Sequence, residues 1–142
     1  MAWMIVPLQR YFDFKGRSRR QEFWMFFLFQ VILMFCASFI DVALGYGQVD
    51  SYAQATEGYS VGFSMNSSGP VMLILFLALI IPALAVAVRR LHDTDRSGWW
   101  LLLAFIPLFG WIAIFIFYCL EGTVGPNRFG EDPKGRMPGV RG

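Results

Sequence analysis

Histidine occurs once, cysteine twice, and Asp, Glu, Lys and Arg together make up only 15% of the 142 residues. A single histidine leaves no paired-histidine zinc site. Cys36 and Cys119 lie inside apolar runs, with no CxxC and no Cys/His metal spacing, so no metal site or disulfide framework is expected. The two thiols read as small apolar packing residues. Soluble domains carry about 25% charged residues; this chain has fewer, with 56% hydrophobic and 18% aromatic residues. A net charge of +2 gives no reason to expect a nucleic-acid partner. The length allows one domain, 1–142.

Charge is missing altogether from three stretches. FWMFFLFQVILMFCASFI at 23–40 and VMLILFLALIIPALAVAV at 71–88 are 18 residues each, and WWLLLAFIPLFGWIAIFIFYCL at 99–120 is 22. A hydrocarbon core of about 30 Å takes about 20 helical residues, and lipid offers the backbone no hydrogen-bond partner. The prediction is an all-α membrane protein with three transmembrane helices, at about 22–44, 70–90 and 99–120, and a polar tail at 121–142. The first run lacks the cleavage site of a signal peptide. Residues 1–14 are too short to cross and are expected to form an amphipathic interfacial segment. Ser18 to Gln21 reads as a capping box, Ser68 and Pro70 suit the start of the second helix, and Ser97 suits the start of the third. Pro107 and Gly110 leave two readings of the third stretch, a kinked continuous helix or a re-entrant hairpin. The kinked helix is the expectation, because re-entrant backbone needs protein around it.

Lys and Arg set the orientation. Segment 1–22 has five, loop 89–98 has three, and loop 45–69 has none. The positive-inside rule then places the N-terminus in the cytoplasm, with Trp24, Trp99 and Trp100 at the inner interface. Three spans put the tail, with its four further cations, on the opposite side.

Gln30, Ala37 and Asp41 share one face of the first helix, and Ala78, Pro82, Ala85 and Arg89 share one face of the second. Gly110 and Ala113 form a small patch on the third. Small residues allow close helix approach and polar ones bond across it, so Gln30, Ala37, Ala78, Pro82, Ala85, Gly110 and Ala113 are candidate packing positions. Asp41 falls near the outer interface, where a charge costs little.

The densest polar cluster joins Arg17, Arg20 and Glu22 to Arg89, Arg90, His92, Asp93, Asp95 and Arg96. His92 beside Asp93 could act as a general base, and the arginines could hold lipid phosphate. The bland alternative is that carboxylates and arginines pair across the two segments and fix the helix ends. No complete catalytic constellation is present.

In these segments the chain resembles a known family. RYFDFKGRSRRQEFW, RRLHDTDRSGWW, IPLFGWI and EGTVGPNRFGEDP, in this order between about residues 8 and 133, are similar to the DUF805 family of small bacterial inner-membrane proteins. The resemblance implies a bacterial cytoplasmic-membrane location and no defined activity. Its motif positions fall on Phe14, Gly16, Arg17, Arg20, Glu22, Trp24, Arg90, Leu91, His92, Asp93, Ser97, Gly98, Trp99, Pro107, Gly110, Gly122, Pro126, Asn127, Gly130 and Pro133. Asp95 stands where many members carry glycine, so no tight turn is implied there.

The function expected is that of a non-catalytic accessory or scaffold protein that packs on a protein partner, on a second copy or on membrane lipid, anionic lipid included. The alternatives are an enzyme acting on a lipid head group through the Arg/His/Asp cluster and a small component of a transporter or channel.

Overall fold

The computed structural model describes residues 4–55, 59–67 and 69–136. Their order is α1 (Val6–Gln9), α2 (Arg20–Ala43), β1 (Gly47–Ala55), β2 (Tyr59–Ser67), α3 (Pro70–Asp93), a 3-10 helix (Gly98–Phe105) and α4 (Phe109–Cys119). Two compact units share these elements. One combines the residues up to Leu28 with those from Ile81 onward, and the other is Phe29–Ile80.

α2 and α3 are each 24 residues long and strongly apolar. At 1.5 Å per residue each measures about 36 Å, enough for a bilayer core of about 30 Å. Only 22% and 28% of their most apolar windows are buried within the protein, so their large side chains need lipid or another apolar surface. α3 continues through Pro82, as membrane helices often do.

In the Phe29–Ile80 unit, Asp41 is fully buried. Its Oδ1 accepts the Val71 N–H at 3.1 Å and its Oδ2 accepts the Met72 N–H at 2.8 Å. The carboxylate of α2 therefore caps the N-terminus of α3. Gly69 makes room for it, since a Cβ there would lie 2.2 Å from Asp41 Cγ. Ser68, the expected cap, is outside the described residues. Asp41→Ala is expected to cost about 2 kcal/mol, the scale of charge-assisted hydrogen bonds, read by reversible unfolding in mixed micelles.

The loop between these helices forms an antiparallel hairpin, with register from Gly47↔Ser67 to Ala55↔Tyr59. The all-α membrane class stands, with this strand pair added to it. The signal is the alternation Tyr59, Val61, Phe63, Met65 with Ser60, Gly62, Ser64, Asn66, a period of two that composition alone hides.

The third apolar stretch is not one kinked helix. The 3-10 helix ends at Phe105, Leu108 takes φ +65°, and α4 starts at Phe109. Pro107 has no N–H to continue a helix, and its carbonyl instead accepts the Phe109 N–H at 2.8 Å. Beyond the turn the chain runs back: Trp111 Nε1 donates to the Ala104 carbonyl at 2.9 Å, and the Trp100 and Phe117 rings meet edge to face at 5.5 Å. Gly110 permits the approach, because a Cβ there would sit 1.8 Å from the Leu103 carbonyl oxygen. Eight 3-10 residues and eleven α residues each rise about 16 Å, roughly half a bilayer core.

Two expected caps also differ. α2 opens at Arg20, so Ser18 lies outside the capping position and its hydroxyl makes no hydrogen bond. Ser97 precedes the 3-10 helix as expected, but without a side-chain bond.

Candidate functional site: a buried arginine clamp

The end of α3 meets the segment before α2. Ser18 N–H donates to the Arg89 carbonyl at 3.1 Å, which brings Arg17 and Glu22 beside Arg89, Arg90 and Asp93. All five of those side chains are buried. Arg17 approaches Asp93 Oδ1 through Nε at 3.0 Å and Nη2 at 2.9 Å. Arg90 Nη1 donates to Asp93 Oδ2. Arg89 Nη1 lies 3.0 Å from Glu22 Oε1, although neither atom reaches hydrogen-bond geometry, so this pair is held by charge at close range.

Two guanidinium groups share Asp93, which leaves a buried excess of positive charge. Backbone carbonyls of the chain after α4 answer it. Arg17 Nη1 donates to the Gly125 carbonyl at 2.6 Å and Nη2 to that of Thr123 at 2.5 Å. Arg90 Nε donates to the Tyr118 carbonyl at 3.2 Å, and its Nη2 donates to that of Leu120. Asp93 returns the contact, its carbonyl accepting the Thr123 N–H at 2.9 Å. Gly122 passes so close that a Cβ would lie 1.9 Å from Asp93 Oδ2. Every nitrogen of Arg17 and Arg90 is thereby engaged within the chain.

The tail then folds over the same end. Asn127 Nδ2 donates to the His92 carbonyl at 2.9 Å, and Asn127 and Gly130 pair in a tight turn. The Phe129 ring stacks on His92 at 3.9 Å with 3° between planes, while His92 Nδ1 lies 3.2 Å from the Gly16 carbonyl. Arg19 donates from Nε to the Pro133 carbonyl at 2.6 Å. Asp132 fastens the far side, accepting from Arg136 Nε at 2.8 Å, Lys134 N–H at 2.9 Å and Gly125 N–H at 3.3 Å. Burial alone would raise the Asp132 carboxyl, but Arg136 and the two amides outweigh it and hold it at about 2. Its contribution is therefore complete above its ordinary value of 3.8 and lost as pH falls toward about 2. Hydrogen exchange of amides 121–136, corrected for intrinsic rate, should show protection that is flat down to pH 4 and falls below it. Asp132→Asn should remove that step.

The other predicted residues lie apart from this clamp. Asp95 pairs with Arg128 at 3.2 Å on the exposed surface, and Arg96 stands over Phe117 at 4.1 Å. Arg20 is exposed. Asp95 also carries φ +58°. With Arg96 N–H on the Leu91 carbonyl and Asp95 N–H on that of His92, it forms the Schellman turn that ends α3. The tight turn is thus present without glycine, and Asp95→Gly is expected to raise stability by about 0.5–1 kcal/mol in the same unfolding assay. Of the packing positions, Ala37, Pro82, Ala85 and Gly110 are buried, Gln30 and Ala113 half-buried and Ala78 exposed. Arg19 joins the clamp, and so do Thr123, Phe129 and Asp132, which had not been singled out. The repeated glycines at 122 and 125 were the available sign that the tail packs closely.

Residues 11–131, which contain the whole clamp up to Asn127–Gly130, match the family described as a protein of unknown function, DUF805. The chain belongs to the DUF805 family. It is 41% identical to inner membrane protein YhaI of Escherichia coli K12 over 134 residues, covering 94% of this chain and 97% of that one. It is 40% identical to inner membrane protein YhaH of the same strain, covering 94% and 98%. No solved structure matches the chain. With relatives named for the inner membrane and two apolar helices of spanning length, this DUF805 chain is a membrane protein.

Proposed function

We propose that this DUF805 protein is a non-catalytic accessory or scaffold protein of the bacterial cytoplasmic membrane, which packs against a protein partner, a second copy or anionic lipid. The observation that carries the reading is the use of the cluster: Arg17 and Arg90 spend every nitrogen on Asp93 and on carbonyls of their own chain. Groups buried and engaged in this way hold a fold together.

The same reading has α2 and α3 span the bilayer while the 3-10 helix and α4 enter and return, with both termini in the cytoplasm. This puts all twelve Lys and Arg residues on one side and none in the 45–69 loop. That distribution supports the orientation. At the turn the Ala104 carbonyl accepts the Trp111 indole N–H, and the Ile106 and Pro107 carbonyls accept the Gly110 and Phe109 N–H groups, the internal pairing that re-entrant backbone requires.

One observation favours the alternative of a lipid head-group enzyme: Gly125 and Asn127 do reach the His92 end of α3. Against it, His92 is stacked under Phe129 and its Nδ1 faces the backbone carbonyl of Gly16. Native mass spectrometry of the tagged protein, released from its own membrane in mild detergent, should find a defined partner or homo-oligomer. Ala78→Phe should disrupt that assembly and His92→Ala should leave it intact. A cellular phenotype abolished by His92→Ala alone, with the protein still accumulating, would overturn the reading.

A further inference from the structure

We propose that a cleft between the first two turns of α2 and the returning 3-10/α4 pair holds one acyl chain of an anionic glycerophospholipid, whose phosphate rests on Arg20. The cleft measures about 420 Å³, and Phe23, Trp24, Phe27, Ala104, Trp111 and Phe115 are among its lining residues. Its aromatic walls brace one another. Trp24 meets Phe27 and Phe115 edge to face at 5.9 Å each, and Phe23 packs on Tyr118 at 4.3 Å.

Size selects a chain-like occupant. Three turns of a helix about 10 Å across take up about 1,200 Å³, nearly three times the space available. Its lining on α2, Phe23 to Phe27, begins one turn beyond Arg20, and from Arg20 to Phe27 is about 10 Å along the helix, within the depth of one leaflet.

Charge selects the head group. Arg10, Arg17, Arg19, Arg89, Arg90, Arg96, Arg128 and Arg136 each have a hydrogen-bond partner in the chain. Among the described residues Arg20 is the arginine left without one, and it is exposed one turn ahead of Phe23 and Trp24 on the same helix stripe. It opens a 24-residue helix, whose dipole adds positive potential at that end. The nearby carboxylate, Glu121, is already paired with Lys134 at 2.8 Å and Arg136 at 2.9 Å.

The inference rests on the membrane reading above and names the lipid it leaves open. Its test has a different readout from partner capture, so either can fail alone. Purified full-length protein is mixed with equal amounts of phosphatidylglycerol and phosphatidylcholine bearing identical acyl chains, and retained lipid is measured by native mass spectrometry. One phosphatidylglycerol per chain is expected, preferred about fivefold, the factor one basic residue supplies near an anionic surface. Arg20→Gln should bring the ratio to about one while a lipid is still retained, and Ala104→Trp should fill the cleft and abolish retention of both. Equal retention of the two lipids by the wild type, a preference unchanged in Arg20→Gln, or retention unchanged in Ala104→Trp would overturn the proposal. So would an Ala104→Trp variant that loses self-association and keeps its lipid, since a partner side chain would then be the occupant.

Discussion

Asp93→Ala should lower the stability of the protein by about 3–5 kcal/mol, the cost of leaving buried cations without their counter-ion. Two guanidinium groups depend on this carboxylate, and the side chains of Arg17 and Asp93 are only 1% and 5% exposed. Water can therefore do little to replace the lost charge. Asp93→Asn should cost nearly as much, because it keeps the shape and removes the charge. The contrast is Asp95→Ala, two residues away. Asp95 and Arg128 are 47% and 60% exposed, and their ion pair is worth about 0–1 kcal/mol. Unfolding in mixed micelles compares the variants directly. Equal losses for Asp93→Ala and Asp95→Ala would mean that burial does not govern the clamp.

Gly110→Ala should be the second most damaging of the substitutions considered, at about 3 kcal/mol, the upper range for overpacking a tight contact. A methyl group would meet the Leu103 carbonyl oxygen at 1.8 Å, and that atom is backbone, so no side-chain rotation relieves the clash. The two legs must separate, breaking the Trp111–Ala104 bond and opening the cleft behind it. Trp111→Phe removes that hydrogen bond and part of the ring without forcing the legs apart, and should cost about 1 kcal/mol. A red shift of tryptophan emission in Gly110→Ala, absent in the wild type, would report the opening. An unshifted spectrum together with unchanged stability would contradict the hairpin.

The long helices were legible because lipid imposes a rule that sequence displays directly: about twenty residues without charge. α2 and α3 fall where those runs predict. The third run met the same rule by composition and broke it in space. Pro107 signals an interruption, but whether the chain bends or reverses depends on Leu108 taking the positive φ of a γ-turn and on Gly110 touching Leu103, which are not local preferences of either residue. The hairpin of β1 and β2 was carried by alternation in Tyr59–Ser67, a signal that a reading by charge and small-residue content passes over.

The clamp was legible only in part. Complementary charges on 17–22 and 89–93 mark segments that can meet, but they do not indicate which residues lie on the buried side. Arg89 and Arg90 are buried, whereas Arg20 faces out. What ties the tail down is mostly backbone carbonyl at Tyr118, Leu120, Thr123 and Gly125. Carbonyl groups are the same in every residue, so no side-chain pattern announces them. The glycines that allow the approach are the nearest trace, and they show closeness without saying to what. Asp41 is a similar case: its position on α2 suggested an interfacial charge, and its partner is the N-terminus of another helix.

The most direct test of the account is the side of the membrane on which the chain ends. The clamp ties residues 118–133 to Arg17, Arg19 and the end of α3, so the N-terminal segment and the tail must share a compartment. Fusions at the C-terminus of the full chain should make a fluorescent protein that matures only in the cytoplasm bright, and leave alkaline phosphatase inactive. An active phosphatase with a dark fluorescent fusion at the C-terminus, while the same fluorescent protein at the N-terminus is bright, would place the two ends on opposite sides and contradict both the returning hairpin and the clamp.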